Sequence, residues 1–286
     1  MSAIWIDGTY YDREQAVVSV FDHGLLYGDG VFEGIRVYGG RVFRLDPHLD
    51  RLYASAQAVW LAIPMTKDAL REVVLDAVRR SGLRDAYIRL VVTRGVGDLG
   101  LDPRKCPKPS IICIVDKIVL WPADRYERGL VCLTAATPIN HRESLSPRIK
   151  SLNYLSHILA KIEGIAAGVD EVIMLDAAGY VAEASGMNLF VVTDRVLRTP
   201  PAYAGILRGI TRDAVIEVAR EAGYGVEELP LNRYDLYTAD EAFLTGTAAE
   251  VVGIARLDGR PIGSGVPGPV TRDLAARFRA LATRGD

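Results

Sequence analysis

Apolar and polar positions alternate through much of the first 116 residues, in patterns that distinguish strands from helices. The stretch GVFEGIRVYGGRVFRL alternates on both sides of the glycine pair at 39–40, which predicts a β-hairpin. A helix is predicted next, with Asp46 as its N-cap and Pro47 at its first position, and a second helix runs from Thr66 to about Ser81. The segments AYIRLVVT and SIICIVD then predict two strands joined by a loop rich in Gly and Pro.

The second half of the chain groups its predicted strands with longer helices. The strand LVCLTAAT leads to a loop ending at Lys150, a helix from about Leu152 to Ala167, the hairpin DEVIMLDAAGYVAEAS and the strand NLFVVT. Strands grouped with helices, without strict βαβ alternation, favour an α+β fold. The pattern breaks around KIVLWPADRYERG, so we expect a small N-terminal domain at 1–116, a linker at 117–127 and a larger domain at 128–286.

Three further segments complete the predicted second domain. GILRGITRDAVIEVAREAG predicts a turn that leads into a helix, and EAFLTGTAAEVVGIARLDG predicts a strand, a loop and a strand. TRDLAARFRALA predicts a last helix.

Composition narrows the class of protein. Hydrophobic residues make up 49% of the 286 and charged residues 24%, which is ordinary for a soluble globular protein. A formal charge of −2 argues against nucleic acid or an anionic membrane as partner. The start, MSAIWIDGTYYDREQ, shows no signal peptide, and no apolar run approaches the ~20 residues of a membrane span, so the cytoplasm is expected.

The cysteines predict neither a disulfide framework nor a metal site. Cys106, Cys113 and Cys132 are odd in number and lack the C-x-x-C spacing of zinc ligands. We therefore expect buried or incidental thiols.

A lysine in the stretch SPRIKSLNYL is the first candidate for chemistry. The chain has six lysines against twenty-eight arginines, and Lys150 is one of the few. Arginine cannot replace a lysine that must act as an amine, because the guanidinium group stays protonated. Lys150 is therefore a candidate nucleophile.

Two turns are candidates for binding phosphate. In LRGITRDAV, the backbone N–H groups of Gly209, Ile210 and Thr211 and the threonine hydroxyl lie where a turn becomes a helix. An ordinary helix with Thr211 as N-cap explains the same pattern. LTGTAAE is a second hydroxyl-rich turn, with Thr245 and Thr247, and by itself it is only a turn. The glycines of GDGVFEG precede a strand, whereas a dinucleotide loop follows a strand and opens a helix, so that function is disfavoured.

A carboxylate completes the set. Glu183 ends a predicted strand in GYVAEASGMN, where it is either a solvated edge residue or a buried partner that keeps a pyridine nitrogen protonated. A lysine for a Schiff base, an acid for a pyridinium and a helix N-terminus for a phosphate together indicate pyridoxal phosphate.

The order of PRIKSLNYL, EASGMNLF, LRGITRD and LTGTAAE resembles the fold-type IV pyridoxal-phosphate enzymes nearly from end to end. Within that group the chain is similar to the branched-chain amino acid aminotransferases. The resemblance implies a two-domain architecture of the D-amino acid aminotransferase type, with a small N-terminal α/β domain and a larger domain that binds the cofactor. It also implies ping-pong transfer of amino groups from leucine, isoleucine and valine to 2-oxoglutarate.

The resemblance also implies roles for individual residues. Lys150 would form the Schiff base, Tyr154 would bond the phenolic oxygen of the cofactor, Glu183 would pair with the pyridine nitrogen, and Leu207 would pack on the ring. The phosphate would be bound by Arg51, Gly209, Ile210, Thr211 and Thr247. Without the resemblance, Arg51 of the HLDRL helix reads as a solvated charge.

Substrate residues lie in YGDGVFEGIR and AYIR, which match the branched-chain subgroup. Strand periodicity places Phe32, Gly34 and Arg36 on one face, and Tyr87 and Arg89 on another. The resemblance implies two zones. The apolar zone contains Tyr27 and Phe32 and takes the substrate side chain, for which Gly34 leaves room. The polar zone takes carboxylates and contains Tyr87, Arg89 and the backbone of Thr247 and Ala248.

The loop GVGDLGLDP resembles the segment that a neighbouring subunit contributes in this family. This implies a homodimer or a higher homo-oligomer in which loop 97–101 completes the neighbour's site. The linker is shorter than in many relatives, which leaves the role of Trp121 and Tyr126 open. The alternatives are a transaminase of D-amino acids or (R)-amines, an aminodeoxychorismate lyase of the same fold, and a cofactor-binding protein without catalysis.

Overall fold

The computed structural model describes residues 2–284, which form two compact units. The N-terminal unit contains the chain up to residue 118 together with residues 149–153. The C-terminal unit contains residues 119–148 and 154–284. The segment around Lys150 therefore packs with the N-terminal unit, although the chain on both sides of it belongs to the C-terminal unit.

Six strands of the described chain form one sheet in the N-terminal unit, in the order β2-β1-β6-β5-β3-β4. The strands are β1 (Ala3–Ile6), β2 (Thr9–Tyr11), β3 (Gly30–Tyr38), β4 (Arg41–Val42), β5 (Ala86–Thr93) and β6 (Ser110–Asp116). All neighbouring pairs are antiparallel. The predicted hairpin is confirmed as β3 and β4, and both glycines between them have positive φ, as the tight turn requires.

Helices pack against this sheet, because the apolar residues on the strands and on the helices form one buried core. The helices of the unit are α1 (His23–Tyr27), α2 (Leu45–Ala58) and α3 (Lys67–Ser81). Within β5, Ile88 and Leu90 are fully buried while Tyr87 and Arg89 are half-buried, so the predicted alternation is confirmed. The prediction of Asp46 as N-cap was wrong, because Arg44 caps α2 in a left-handed conformation and the buried Leu45 is already helical.

The C-terminal unit is built on a mixed sheet of nine strands within the described residues. Its main path is β12-β11-β10-β13-β14-β7-β8-β9, with β15 paired to β14. The strands are β7 (Leu130–Thr134), β8 (Glu171–Leu175), β9 (Val181–Ala184), β10 (Asn188–Thr193), β11 (Val196–Thr199), β12 (Gly225–Glu228), β13 (Glu241–Gly246), β14 (Glu250–Leu257) and β15 (Arg260–Pro261). Parallel pairs join β7 to both β8 and β14, and β11 to β12.

Helices α4 (Ala123–Arg128), α5 (Leu155–Ala166), α6 (Ile210–Glu221), α7 (Arg233–Tyr237) and α8 (Pro269–Arg284) accompany this sheet. The α+β prediction is therefore confirmed. Trp121 and Tyr126 contact each other edge to face and pack against the apolar core of this unit. Both aromatic side chains of the short linker therefore contribute to the packing of this unit.

The three cysteines are buried, as predicted, and their sulfur atoms form no disulfide. Burial raises the pKa of the Cys113 thiol to about 12 and raises that of Cys132 well above its ordinary value. Both thiols are therefore protonated, unreactive core residues.

Candidate active site

Lys150 is held against β3 by its own backbone. The carbonyl of Lys150 accepts from the Phe32 N–H at 2.9 Å, and the N–H of Leu152 donates to the Gly30 carbonyl at 2.9 Å. The N–H of Lys150 donates to Ser55 Oγ of α2 at 3.1 Å. The segment therefore lies along β3 like a short extra strand, and the position of the lysine backbone is fixed by strand and helix together.

The Lys150 amine lies over the predicted substrate residues. Its Nζ is 4.5 Å from the centre of the Phe32 ring. The guanidinium carbon of Arg89 is 4.6 Å from the same ring and 5.6 Å from the ring of Tyr87. Two cations against one aromatic ring form a cation–π arrangement, in which the ring attracts both. One amine, one guanidinium group and two aromatic rings are thus gathered in the N-terminal unit.

Register explains why these residues meet. Gly34 lies directly opposite Arg89, and Arg36 lies directly opposite Tyr87 in the β3–β5 pair. Residues two apart on a strand share a face, and directly opposite residues of paired strands point to the same side. The two sets that were expected on separate faces, Phe32, Gly34 and Arg36 and Tyr87 and Arg89, therefore lie on one side of the sheet.

Gly34 is required by a neighbouring side chain. A Cβ atom at this position would lie 1.9 Å from the Tyr87 hydroxyl oxygen. The expected reason for the glycine was room for a substrate side chain. The structure adds a reason within the protein, because the Tyr87 hydroxyl occupies the space that a side chain would take.

Tyr27 is associated with a different group of residues. Its hydroxyl donates to the Leu99 carbonyl at 2.6 Å, and the ring of His23 in the same helix packs edge to face against it. His23 Nε2 is 2.7 Å from the Asp98 carbonyl. These contacts tie α1 to loop 97–101.

Arg51 belongs to a buried charge cluster that also contains Glu33 and His48. Its Nε and Nη2 donate to the two carboxylate oxygens of Glu33, both at 2.7 Å, and His48 Nδ1 is 2.7 Å from Oε2 of the same carboxylate. Burial lowers the pKa of His48, so the ring is neutral and its Nδ1 carries the proton that the carboxylate accepts. The alternative that Arg51 is only a solvated charge is excluded by these buried contacts.

The cluster makes Glu33 acidic. Burial by itself would raise the pKa of the Glu33 carboxyl, but Arg51 and His48 outweigh burial and lower it from 4.5 to about 2. Because the pKa is lower in the folded protein, the ionised carboxylate stabilises the fold fully above about pH 4.5, and this stabilisation is lost as the pH falls toward 2.

Glu183 of the C-terminal unit is a buried carboxylate, not a solvated edge residue. Its Oε2 accepts from Asn188 Nδ2 and from the Leu207 N–H, both at 3.1 Å. Its Oε1 is 4.0 Å from Nε2 of His157, whose ring stacks on Tyr154 with centroids 4.7 Å apart. Leu207 therefore contacts Glu183 directly, and Tyr154 is linked to Glu183 through His157.

The predicted phosphate turn lies at the start of α6. Gly209 is the N-cap, Ile210 begins the helix and Thr211 is buried in its first turn, so the alternative of Thr211 as N-cap was wrong. Gly209 fills that position because a Cβ atom would lie 2.0 Å from Asn188 Oδ1. The first N–H groups of a helix lack helical partners and favour an anion.

The second hydroxyl-rich turn follows β13. Thr247 and Ala248 are half-buried in the turn between β13 and β14. Thr245 lies opposite Asn188 in the β10–β13 pair, and its Oγ1 is buried without a hydrogen-bond partner. An unsatisfied buried hydroxyl costs about 1–3 kcal/mol, so a ligand atom at this place would relieve a real penalty.

These residues fit pyridoxal phosphate in their chemistry. Within the N-terminal unit, an amine suits an aldehyde and a rigid guanidinium group suits a phosphate. Within the C-terminal unit, a buried carboxylate suits a pyridinium, and an unsatisfied hydroxyl and a helix N-terminus suit a phosphate. Residues 2–284 contain no cluster of three or more His, Cys, Asp or Glu side chains that could hold a metal ion. Over the same described residues, no helix is long and apolar enough to cross a membrane.

Sequence reasoning missed the residues that support the predicted ones. Glu33 and His48 hold Arg51, Asn188 and His157 contact Glu183, and Ser55 binds the Lys150 backbone. One signal was available, because His48, Arg51 and Ser55 follow i, i+3, i+7 spacing along α2 and so share a face.

Comparison with known proteins identifies relatives over almost the whole chain. The family model described as amino-transferase class IV matches residues 30–257. A protein of Methanocaldococcus jannaschii with a provisional assignment as a branched-chain-amino-acid aminotransferase is 53% identical over 98% of this chain and 96% of its own length. The branched-chain-amino-acid aminotransferase of Pseudomonas aeruginosa is 40% identical over 98% of this chain and 92% of its own.

A solved structure is also similar. The crystal structure of the T.th. branched-chain amino acid aminotransferase with pyridoxamine 5'-phosphate has a TM-score of 0.95 and 37% identity, over 99% of this chain and 95% of that one.

The contact at Gly34 generates a prediction. We expect Gly34→Ala to lower the free energy of unfolding by about 1–3 kcal/mol, because the new methyl group displaces the Tyr87 hydroxyl. Urea unfolding of the cofactor-free protein measures this cost. In the Tyr87→Phe background the cost should be smaller, with Tyr87→Phe alone as control. The same cost in both backgrounds would show that the Tyr87 hydroxyl is not the obstacle, because the ring carbon Cζ, 2.7 Å from the position of the Cβ atom, remains in phenylalanine.

Proposed function

Since the chain belongs to the class IV aminotransferase family, we propose that it transfers the amino group of leucine, isoleucine and valine to 2-oxoglutarate, with pyridoxal phosphate as cofactor. The observation that carries this proposal is the Lys150 amine over Phe32, with Arg89 against the same ring. Full-length relatives with the same activity in their names support it. The proposed location is the cytoplasm, which rests on the sequence alone.

Lys150 acts as the base and acid of the reaction. Bound pyridoxal phosphate supplies an electron sink that acidifies the Cα–H bond of the amino acid. Beside the bound cofactor, the Lys150 Nζ would take the Cα proton of the amino acid as general base and release it again as general acid. Its backbone is clamped to β3 and α2, so only the side chain has to move. Two half-reactions on one site give ping-pong kinetics.

The residues proposed to hold the cofactor are those predicted from the sequence. Glu183 keeps the pyridine nitrogen protonated, since an opposite charge favours the charged form. Tyr154 bonds the phenolic oxygen, and Leu207 packs on the ring. Arg51 binds the phosphate together with the α6 N-terminus and the turn after β13, that is, with Gly209, Ile210, Thr211 and Thr247.

The substrate residues are proposed to divide by polarity. The Phe32 ring and the unsubstituted Gly34 backbone offer an apolar surface to a branched side chain. Tyr87, Arg89 and the Ala248 backbone offer donors to a carboxylate. Arg89 is proposed to bind the side-chain carboxylate of 2-oxoglutarate in one half-reaction. In the other half-reaction the branched-chain amino acid has methyl groups in place of that carboxylate.

The working form is proposed to be a homodimer. In the N-terminal unit, residues 17–27 lie beside residues 96–101 through the Phe21–Gly97 and Tyr27–Leu99 hydrogen bonds. This surface exposes large apolar side chains, including Val17 at 74%, Val20 at 68%, Leu99 at 68% and Leu101 at 79%. Exposed apolar patches of this kind mark interfaces. We propose that loop 97–101 enters the neighbouring subunit and that Tyr27, which is bonded to it, goes with it.

Helix α5 adds a second exposed apolar surface, in the C-terminal unit. Leu155, Ile158, Leu159, Ile162 and Ile165 form a stripe along this helix, and each is about half exposed or more. Residues at this spacing share a helix face, and an unburied apolar face supports association of two copies.

The role of Lys150 is tested by a half-reaction. We expect the yellow protein to lose its colour fastest with L-leucine, compared with D-alanine and an (R)-arylalkylamine in separate samples. Lys150→Ala should lower turnover by about 10⁴-fold or more, while Lys67→Ala, at an exposed lysine, leaves it unchanged. Colour loss only with D-alanine or the amine would keep the fold and overturn the substrate. Appreciable turnover by Lys150→Ala would overturn the mechanism.

Removal of Arg89 should separate the two substrates. We expect Arg89→Ala to lower kcat/KM for 2-oxoglutarate about 100-fold and that for L-leucine less than tenfold, because only the dicarboxylate loses a charge partner for its side-chain carboxylate. Steady-state kinetics with each substrate measures the split, and Arg89→Lys serves as a control that keeps the charge. Equal losses would mean that Arg89 serves the α-carboxylate common to both substrates.

Subunit mixing tests the exchange of loop 97–101. Lys150→Ala and Leu101→Glu are each expected to be inactive, and ultracentrifugation first checks that each is a dimer of the 31.2 kDa chain. A mixed dimer then has one site with an intact lysine and an intact loop from the neighbour, so mixing should restore about a quarter of the activity. If the loop serves its own subunit, neither site of the mixed dimer is complete and no activity returns.

A further inference from the structure

Glu33 occupies a position where the strand pattern calls for an apolar residue. Val31, Ile35 and Val37 lie on the same face of β3 and are fully buried in the core of the N-terminal unit. Glu33 shares that face by its spacing and is also fully buried. A carboxylate among these residues carries a desolvation cost that an apolar side chain would not.

Stability does not explain why a glutamate stands where an apolar residue is expected. A buried ion pair is often no more stabilising than an apolar group of the same volume, because desolvation offsets the Coulomb attraction. The position next to Val31 and Ile35 could hold such a group. The presence of a fully buried carboxylate therefore indicates a task other than holding the strand.

The geometry of the cluster indicates what that task is. Arg51 Nε and Nη2 meet the two oxygens of Glu33 side by side, both at 2.7 Å, which fixes the plane of the guanidinium group. His48 bonds the same carboxylate from one turn earlier on α2 and stops it from rotating. The arginine is thus held as a rigid group instead of a long flexible side chain.

We propose that Glu33 is a positioning residue for the cofactor phosphate and that it acts by fixing Arg51 in the orientation that binds the phosphate, with His48 as its support. This inference rests on the proposed function, in which Arg51 binds that phosphate. A guanidinium group that is already immobilised loses less rotamer entropy when the anion binds.

Glu33→Gln separates orientation from charge. The amide of glutamine offers one oxygen where the carboxylate offers two, and its NH₂ group faces a donor of Arg51 or His48, so the two parallel bonds cannot form. Loss of the negative charge alone would strengthen the attraction of the phosphate to Arg51. Orientation and charge therefore predict opposite changes in affinity.

The experiment compares pyridoxal phosphate with pyridoxal, which has the aldehyde but no phosphate. Each is titrated into cofactor-free wild type and Glu33→Gln, with absorbance as the signal. We expect the Kd for pyridoxal phosphate to rise about tenfold or more, and the Kd for pyridoxal to change less than about twofold. An unchanged or lower Kd for pyridoxal phosphate would overturn the proposal. An equal rise for both ligands would also overturn it, since this would be a general structural effect.

Asp29→Asn is the matched control. Asp29 pairs with Arg94 through two parallel hydrogen bonds of 2.9 Å in the same unit, and it has no proposed part in the site. Loss of this pair should leave the ratio of the two Kd values unchanged. Glu33→Asp provides a second variant if Glu33→Gln does not fold, because it keeps the charge but is too short for both bonds. It should show a smaller loss that again affects pyridoxal phosphate alone.

The wild-type protein separates this proposal from the proposed function. If wild type binds pyridoxal as tightly as pyridoxal phosphate, the phosphate site itself is wrong and Glu33 is not the reason. If wild type prefers pyridoxal phosphate and Glu33→Gln keeps the full preference, only the positioning role fails.

Discussion

The hydrogen bonds between residues 150–152 and β3 are the constraint on which the proposed chemistry depends. They connect this segment to a strand that lies much earlier in the sequence, and they place the Lys150 amine over Phe32. Because the bonds are made by backbone atoms, they fix the segment without using the lysine side chain. The bond to Ser55 Oγ adds the helix that also carries Arg51. The Lys150 amine and the Arg51 guanidinium group are therefore both positioned by β3 and α2.

Two buried carboxylates, Glu33 of the N-terminal unit and Glu183 of the C-terminal unit, have different surroundings. Glu33 is bonded to a guanidinium group and an imidazole, which outweigh the effect of burial and hold it ionised. Glu183 accepts from two neutral donors, the Asn188 amide and the Leu207 N–H, and its Oε1 is 4.0 Å from Nε2 of His157. A carboxylate already satisfied by a cation has little attraction left for another, whereas one held by neutral amides can still stabilise an added positive charge. This difference suits Glu33 to positioning and Glu183 to a pyridinium.

The fold could be predicted from the sequence wherever a regular pattern was long enough. Strands β5 and β6 have the predicted bounds, and helix α3 begins one residue later than predicted, because each has several periodic core residues and clear turn signals. The short strands β1, β2, β11 and β12 were missed, since three or four residues do not establish a period. In the site, the shared face of Phe32, Gly34 and Arg36 follows from periodicity. The bonds of Glu33 to His48 and Arg51 do not, because they depend on how α2 packs on β3.

Two glycines in the predicted motifs have a structural reason that the sequence did not reveal. Gly34 and Gly209 both stand in motifs that suggest contact with a ligand. In the structure each faces a polar atom of the protein itself, the Tyr87 hydroxyl or the Asn188 amide oxygen, at a distance that excludes a Cβ atom. Asn188 also bonds Glu183 and the Leu207 carbonyl, so a side chain at position 209 would disturb the carboxylate through it. The glycine at position 209 therefore leaves this internal hydrogen-bond network undisturbed. Any space that it leaves for a ligand exists only while that network is intact.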